Sequence, residues 1–124
     1  MQKYLGITAF ILALAASPAL AQNWVGLLKN TPAERFDEED LRLFLDNARK
    51  ALNEGQDNQK LSWENPKTRA RGDITVLRSF ESKGRHCKEV QLHNEAGGRK
   101  GDSQLNLCQV DGKWRLLSAQ QLKK

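Results

Sequence analysis

The chain has 124 residues, of which 39% are hydrophobic and 28% charged, and a formal net charge of +5 at pH 7. A chain of this size has room for one domain with a modest hydrophobic core, and we find no internal repeat, low-complexity tract or second domain. The small positive excess permits contact with anionic envelope polymers, lipid headgroups or nucleic acid, but it is also typical of an ordinary solvated surface.

The first 21 residues have the order of a secretory signal peptide. Lys3 precedes an apolar run over residues 5–16, Pro18 interrupts it, and small residues lead up to Ala21. This order predicts cleavage after Ala21. A membrane anchor is the alternative, but the apolar run is shorter than the ~20 residues that span a bilayer. Since no cysteine stands at the cleavage point to accept lipid, we expect an exported, soluble protein of the periplasm or cell envelope.

Residues 22–36 are predicted to form an N-terminal arm. Its apolar side chains, which include Trp24, Leu27 and Leu28, are expected to dock on the fold, and a partner-binding segment is the alternative. The sequence from Thr31 to Glu34 matches a capping box with proline at the first helical position.

An amphipathic helix is the clearest periodic signal in the chain. Apolar residues recur at helical spacing and form one stripe along a helix that ends at Gly55. The stripe consists of Leu41, Phe44, Leu45, Ala48 and Leu52. A membrane-surface helix could carry the same stripe, but its polar face would be more uniformly basic. We therefore predict that this stripe packs on the core of the protein.

Beyond residue 60, short apolar segments alternate with turn residues and predict five strands. They lie near residues 61–64, 73–81, 84–93, 103–110 and 113–118. The pair Asp111-Gly112 is a strong hairpin signal. A polar tail is predicted over residues 119–124.

The central hairpin is predicted to carry a disulfide. If Gly97-Gly98 forms its turn, Cys87 lies directly opposite Cys108, at a separation that a disulfide can bridge. Export would supply the oxidising compartment that such a bond needs. A metal site is the alternative for these cysteines, but no Cys or His pair with zinc-ligand spacing accompanies them, so we expect no metal and no cofactor.

The predicted turns also set the register of the other strands. A three-residue loop over 82–84, with Gly84 left-handed, would place Val76 opposite Val90. One face of the sheet then collects the apolar residues Ile74, Val76, Phe80, Val90, Leu92, Leu105, Leu107, Trp114 and Leu116. We therefore predict an α+β fold over residues 37–118, with an N-terminal amphipathic helix packed on a four- to five-stranded antiparallel sheet and one disulfide across a hairpin.

Several residues in this region also appear in the order of a known family. They are Trp63-Glu64-Asn65-Pro66, Gly72, Gly84-Arg85-His86-Cys87, Cys108 and Asp111-Gly112-Lys113-Trp114. This order resembles the C-terminal domain of the 17 kDa surface antigen family of bacterial envelope proteins. The resemblance implies the fold and the envelope compartment, and it carries no catalytic residues. The family pattern has glycine after Thr68, where this chain has Arg69, and related antigens often look like lipoproteins with a glycine-rich segment that this chain lacks.

Catalytic signals are weak. His86 and His93 could do acid/base work, but they lie seven residues apart on one predicted strand and cannot converge on one substrate. No serine stands in a nucleophile elbow. The glycine-rich residues 97–101 lack the spacing of a phosphate-binding loop and precede a strand. We expect no catalytic residues.

Basic residues gather at the predicted turns. The candidates for binding an anionic partner are Lys67, Arg69, Arg71, Arg99 and Lys100, which could lie at one end of the sheet, opposite Lys83. Nucleic acid is disfavoured because these loops carry no stacking aromatics. The sequence favours a non-catalytic binding or structural module of the cell envelope, whose partner is an envelope protein or an anionic polymer. The alternatives are a periplasmic enzyme inhibitor or anionic-polymer-binding protein and, less favoured, a small hydrolase or nuclease.

Overall fold

A computed structural model describes residues 29–122, and the predicted signal peptide and the arm residues Trp24, Leu27 and Leu28 lie outside them. The described elements are a 3-10 turn (Pro32–Arg35), helix α1 (Glu38–Glu54), strands β1 (Lys60–Glu64), β2 (Arg71–Ser82), β3 (Arg85–Ala96), β4 (Arg99–Val110) and β5 (Lys113–Leu116), and the short helix α2 (Ala119–Leu122). The strands form one antiparallel sheet in the order β1-β2-β3-β4-β5.

Helix α1 begins later than the capping pattern at Thr31 suggests. Thr31 caps only the 3-10 turn, where its Oγ1 accepts a hydrogen bond from the Ala33 N–H (3.2 Å). A second capping box starts α1: Asp37 Oδ1 accepts from the Asp40 N–H (2.7 Å), and Asp40 Oδ2 accepts from the Asp37 N–H (3.0 Å). The predicted amphipathic helix, the five strands and the antiparallel order are confirmed.

The central hairpin has the predicted register. Cys87 pairs with Cys108 across β3 and β4, and the two form a disulfide. The turn residues Gly97 and Gly98 have φ of 57° and 79°, which suits a tight two-residue hairpin turn. At the next hairpin Leu107 pairs with Leu116, as the Asp111-Gly112 turn predicts.

The hairpin between β2 and β3 differs from the prediction. Its turn has two residues, because Ser82 pairs with Arg85 and both Lys83 and Gly84 have positive φ, rather than the three-residue loop that was expected. A β-bulge at Leu77 then shifts the register by one residue and brings Val76 opposite Val90 after all.

The bulge moves one apolar residue to the other face of the sheet. Phe80 was predicted on the helix-facing side, but this was wrong: Phe80 pairs with Cys87 and packs on the disulfide. A bulge reverses the alternation of side chains along its strand, so the residues beyond Leu77 exchange faces.

The main core lies between α1 and the sheet. Buried apolar residues from the helix stripe and the sheet form one cluster, which includes Phe44, Ala48, Leu52, Ile74, Val76, Val90, Leu92, Leu107 and Trp114. A small second cluster on the outer face joins the disulfide to Leu117, with Phe80 and Leu122 packed against it. The segment predicted as a polar tail therefore begins with the helical turn α2, and Leu122 contacts the disulfide cluster. No helix within residues 29–122 is long and apolar enough to cross a membrane.

Candidate anion-binding groove

The structure brings four of the five predicted basic residues to one surface groove. Arg69 and Arg71 line it from the side of the β1–β2 loop, and Arg99 and Lys100 line it from the side of the β3–β4 turn. The two connections meet because both lie at the same end of an antiparallel sheet, and Lys83 lies in the turn at the opposite end. Lys67 belongs to the same loop but is not among the residues that line the groove.

The β1–β2 loop is held by a local hydrogen-bond network centred on Asn65. The Asn65 N–H donates to the Ala70 carbonyl (2.9 Å), and the Arg69 N–H donates to the Asn65 carbonyl (2.8 Å). The Asn65 side chain also accepts from the Lys67 N–H (3.1 Å). These bonds close residues 65–70 into a tight turn and fix the position from which the Arg69 side chain extends.

Asp40 anchors this loop to the start of helix α1. Its Oδ1 accepts hydrogen bonds from Asn65 Nδ2 (2.7 Å) and Thr68 Oγ1 (2.6 Å), although the residue is only 1% exposed. Burial opposes ionisation of this carboxyl, but the hydrogen bonds from Thr68, the Asp37 N–H and Asn65 outweigh it and lower the pKa of Asp40. A buried carboxylate thus positions the basic loop.

Arg69 occupies a backbone conformation that favours glycine. Its φ is 64°, in the left-handed region that costs a residue with a Cβ roughly 1–2 kcal/mol. The resemblance implies glycine at this position, and a positive φ is the conformation that glycine adopts without steric cost. The Arg69 side chain is exposed, and it forms no ion pair with any carboxylate of the described residues.

Glu95 lies at the centre of the other charges in the groove. Its carboxylate accepts from Arg71 Nε (3.0 Å) and from His93 Nε2 (3.2 Å), and Lys100 Nζ lies 3.4 Å away. Hydrogen bonds from Arg71 and His93 lower the pKa of Glu95 to about 2, so it is ionised at neutral pH. Arg99 is paired more loosely, at 3.5 Å from Glu34.

The two histidines hold separate carboxylates. His93 Nδ1 lies 2.7 Å from Asp102, and this hydrogen bond raises the pKa of His93. His86 lies 3.7 Å from Glu81 near the opposite turn. Within residues 29–122 no group of three or more His, Cys, Asp or Glu side chains is arranged to hold a metal ion.

The residues that carry the family resemblance have structural roles. Trp63 packs edge-on against Phe36, with ring centroids 5.1 Å apart. A Cβ on Gly72 would come within 2.8 Å of the Trp63 Nε1 and would collide with the Asn94 side chain, so this position requires glycine. Trp114 Nε1 donates to Asn53 at the end of α1 (2.8 Å). In this chain, these residues therefore serve the fold.

These features define a small disulfide-stapled α+β domain with a basic groove at one end of its sheet. Comparison with known proteins finds similarity to the 17 kDa surface antigen of Rickettsia prowazekii, at 29% identity over 84 residues, which is 66% of this chain and 53% of that protein. The 17 kDa surface antigens of Rickettsia conorii and Rickettsia rickettsii are also 29% identical, over 85 residues.

The resemblance drawn from the sequence motifs is thereby confirmed as a weak sequence similarity to these antigens. It spans about half the length of the curated relatives that it matches. No family model matches the chain, and no solved structure matches it significantly. The matched proteins are named as surface antigens.

Sequence reasoning missed two residues that shape the groove. In the sequence, Asp40 is one of four consecutive acidic residues that suit the positive end of a helix, and its bonds to Asn65 and Thr68 link residues at least 25 positions apart. Glu95 was not singled out, although it stands five residues before Lys100 across a predicted two-residue turn. That spacing places the two opposite each other and could have revealed the pair.

Proposed function

We propose that the protein is an exported, non-catalytic module of the cell envelope that binds an anionic polymer in the groove between the β1–β2 loop and the β3–β4 turn. The signal-like N-terminus and the surface-antigen relatives support export. The groove is open and basic, which suits a chain of repeated phosphate or carboxylate groups better than a single small molecule.

Arg69 is the observation that carries this proposal. Unlike Lys83, which also has a positive φ, Arg69 lines the groove, and strained backbone is common at functional sites. Glycine at this position would adopt the φ of 64° without steric cost. The chain instead has an arginine there, whose charge no described carboxylate neutralises. Arginine also presents a planar fork of donors that matches carboxylate and phosphate oxygens.

The first test compares two charge reversals that change the net charge equally. Arg69→Glu alters the groove, whereas Arg115→Glu alters an exposed residue of β5 whose strand partner is Cys108, nine residues along β4 from Arg99. Binding to a fluorescent polyphosphate, as a stand-in for an anionic envelope polymer, is measured at low salt. We expect Arg69→Glu to weaken binding about tenfold and Arg115→Glu to change it less than about twofold. Equal losses in both variants would show that only net charge matters and would contradict a groove.

A second variant should act in the opposite direction. Glu95→Gln removes the carboxylate that holds Arg71 and Lys100, so these cations become available to the polymer. We expect tighter polyphosphate binding than in the wild type. Glu81→Gln makes the same change in charge near the opposite turn and serves as the control. An affinity that rises equally in both variants would argue against a specific role of Glu95.

A further inference from the structure

The open edge of β4 adjoins the groove and shares Lys100 with it. β5 pairs with β4 only from Leu107 to Val110, and the Leu117 N–H adds one hydrogen bond to the Asn106 carbonyl (3.0 Å). Between Arg99 and Leu105, no strand of residues 29–122 pairs with this side of β4. Such an edge presents a row of N–H and C=O groups to other chains.

The register determines which backbone groups point outward. β3 and β4 pair without any register shift, so the direction of the backbone groups alternates along β4 with a period of two. Since the carbonyl of Asn106 faces β5, the backbone groups of Lys100, Asp102 and Gln104 face the open edge. These three residues are exposed.

We propose that this edge pairs with the same edge of a second copy of the chain, antiparallel, about a two-fold axis through Gly101. Lys100 then lies directly opposite Asp102 of the second copy, and Asp102 lies opposite Lys100 of the second copy. Opposite charges facing each other across an antiparallel pair stabilise it. The contact is self-complementary, as a closed dimer requires.

Charge complementarity selects this register over its neighbours. Moving one strand by two residues in one direction sets Asp102 against Asp102 of the second copy, and moving it in the other direction sets Lys100 against Lys100. Like charges directly opposite each other are destabilising. A larger shift toward β5 would need the backbone of Asn106, which already bonds to Leu117. Lys100 and Asp102 would lack opposite charges on most other strand edges, but in this register each faces the other on the second copy.

The side chains around the edge extend the ion pairs. Lys100 Nζ lies 3.4 Å from Glu95, and Asp102 Oδ1 lies 2.7 Å from His93 Nδ1, both on the outer face of the sheet. In the dimer, the Lys100 ammonium group would lie between Glu95 of its own chain and Asp102 of the second copy. Because only one short strand edge is shared, the contact is small and the association weak.

Sedimentation equilibrium of the oxidised protein at low salt, from micromolar to millimolar concentration, tests this proposal. The wild type should shift from monomer to dimer. Asp102→Lys sets lysine against lysine twice and should weaken dimerisation at least about tenfold, whereas the charge exchange Lys100→Asp with Asp102→Lys should restore it to within about threefold. A wild type that stays monomeric throughout, or a double variant as weak as the single one, would overturn the proposal.

Amide hydrogen exchange locates the contact and also shows whether a variant keeps the hairpin folded. In the dimer the N–H groups of Lys100 and Asp102 should exchange more slowly than at high dilution, while Gly101 and Ser103, which bond to β3, should be protected at both concentrations. Loss of protection at Gly101 in a variant would reveal damage to the hairpin itself. A dimer without added protection at Lys100 and Asp102 would mean that the copies meet elsewhere.

Discussion

Asp40 connects the capping of helix α1 to the placement of the basic loop. The Asp40→Asn variant loses the charge that Thr68 and Asn65 share, so we expect the free energy of unfolding at neutral pH to fall by about 2–3 kcal/mol. Urea denaturation measures this loss. Asp46→Asn, on the exposed side of α1 beside Arg42, should cost less than about 1 kcal/mol.

The pH dependence of this variant has a definite sign. The pKa of Asp40 is lowered in the folded protein, so the carboxylate stabilises the fold above its unfolded pKa of about 3.9 and loses that effect as the pH falls through the folded value. The stability difference between wild type and Asp40→Asn should therefore shrink at acidic pH. A difference that stays constant down to strongly acidic pH would mean that Asp40 acts only through its shape.

The disulfide stabilises the central hairpin at the element scale. It closes a loop of 21 residues, for which the chain-entropy account gives about 3 kcal/mol. Reduction should lower the free energy of unfolding by about this amount, as followed by urea denaturation with and without reductant. A Cys87→Ala, Cys108→Ala variant should show no response to reductant. Equal stability of the oxidised and reduced wild type would contradict a stabilising role.

Turn chemistry explains why some elements could be predicted from the sequence and one hairpin could not. Gly97-Gly98 and Asp111-Gly112 admit two-residue turns that fix the register of the flanking strands. Ser82-Lys83-Gly84 fits a two- or a three-residue turn, and nothing in the sequence marks the bulge at Leu77. The two errors cancelled at Val76 but left Phe80 on the wrong face.

The groove was predictable in part for a related reason. Strand order alone brings Arg69 and Arg99 to the same end of the sheet, so their common location could be expected. The role of Asp40 could not, because it depends on how the helix crosses the sheet and reaches Asn65 and Thr68. Long-range polar contacts of this kind leave no periodic signal in the sequence.

At the scale of the whole molecule, the two ends of the sheet differ in what they offer. The end with the β1–β2 loop and the β3–β4 turn carries the basic groove, with Glu95 as its internal counter-ion. The other half of the sheet carries the disulfide cluster, which Leu117 and Leu122 cover on the outer face. The proposed anion-binding groove and the disulfide cluster are thus separated along the strands.

The most direct test of the proposed function is an NMR titration of the oxidised protein with polyphosphate, followed through its backbone amides. We expect the largest chemical-shift changes at Arg69, Arg71, Gly98 and Lys100, with small changes at Lys83 and Arg115, and the changes should disappear at high salt. Shifts spread evenly over all basic residues, or centred on Lys83 at the opposite turn, would contradict an anion-binding groove at this end of the sheet.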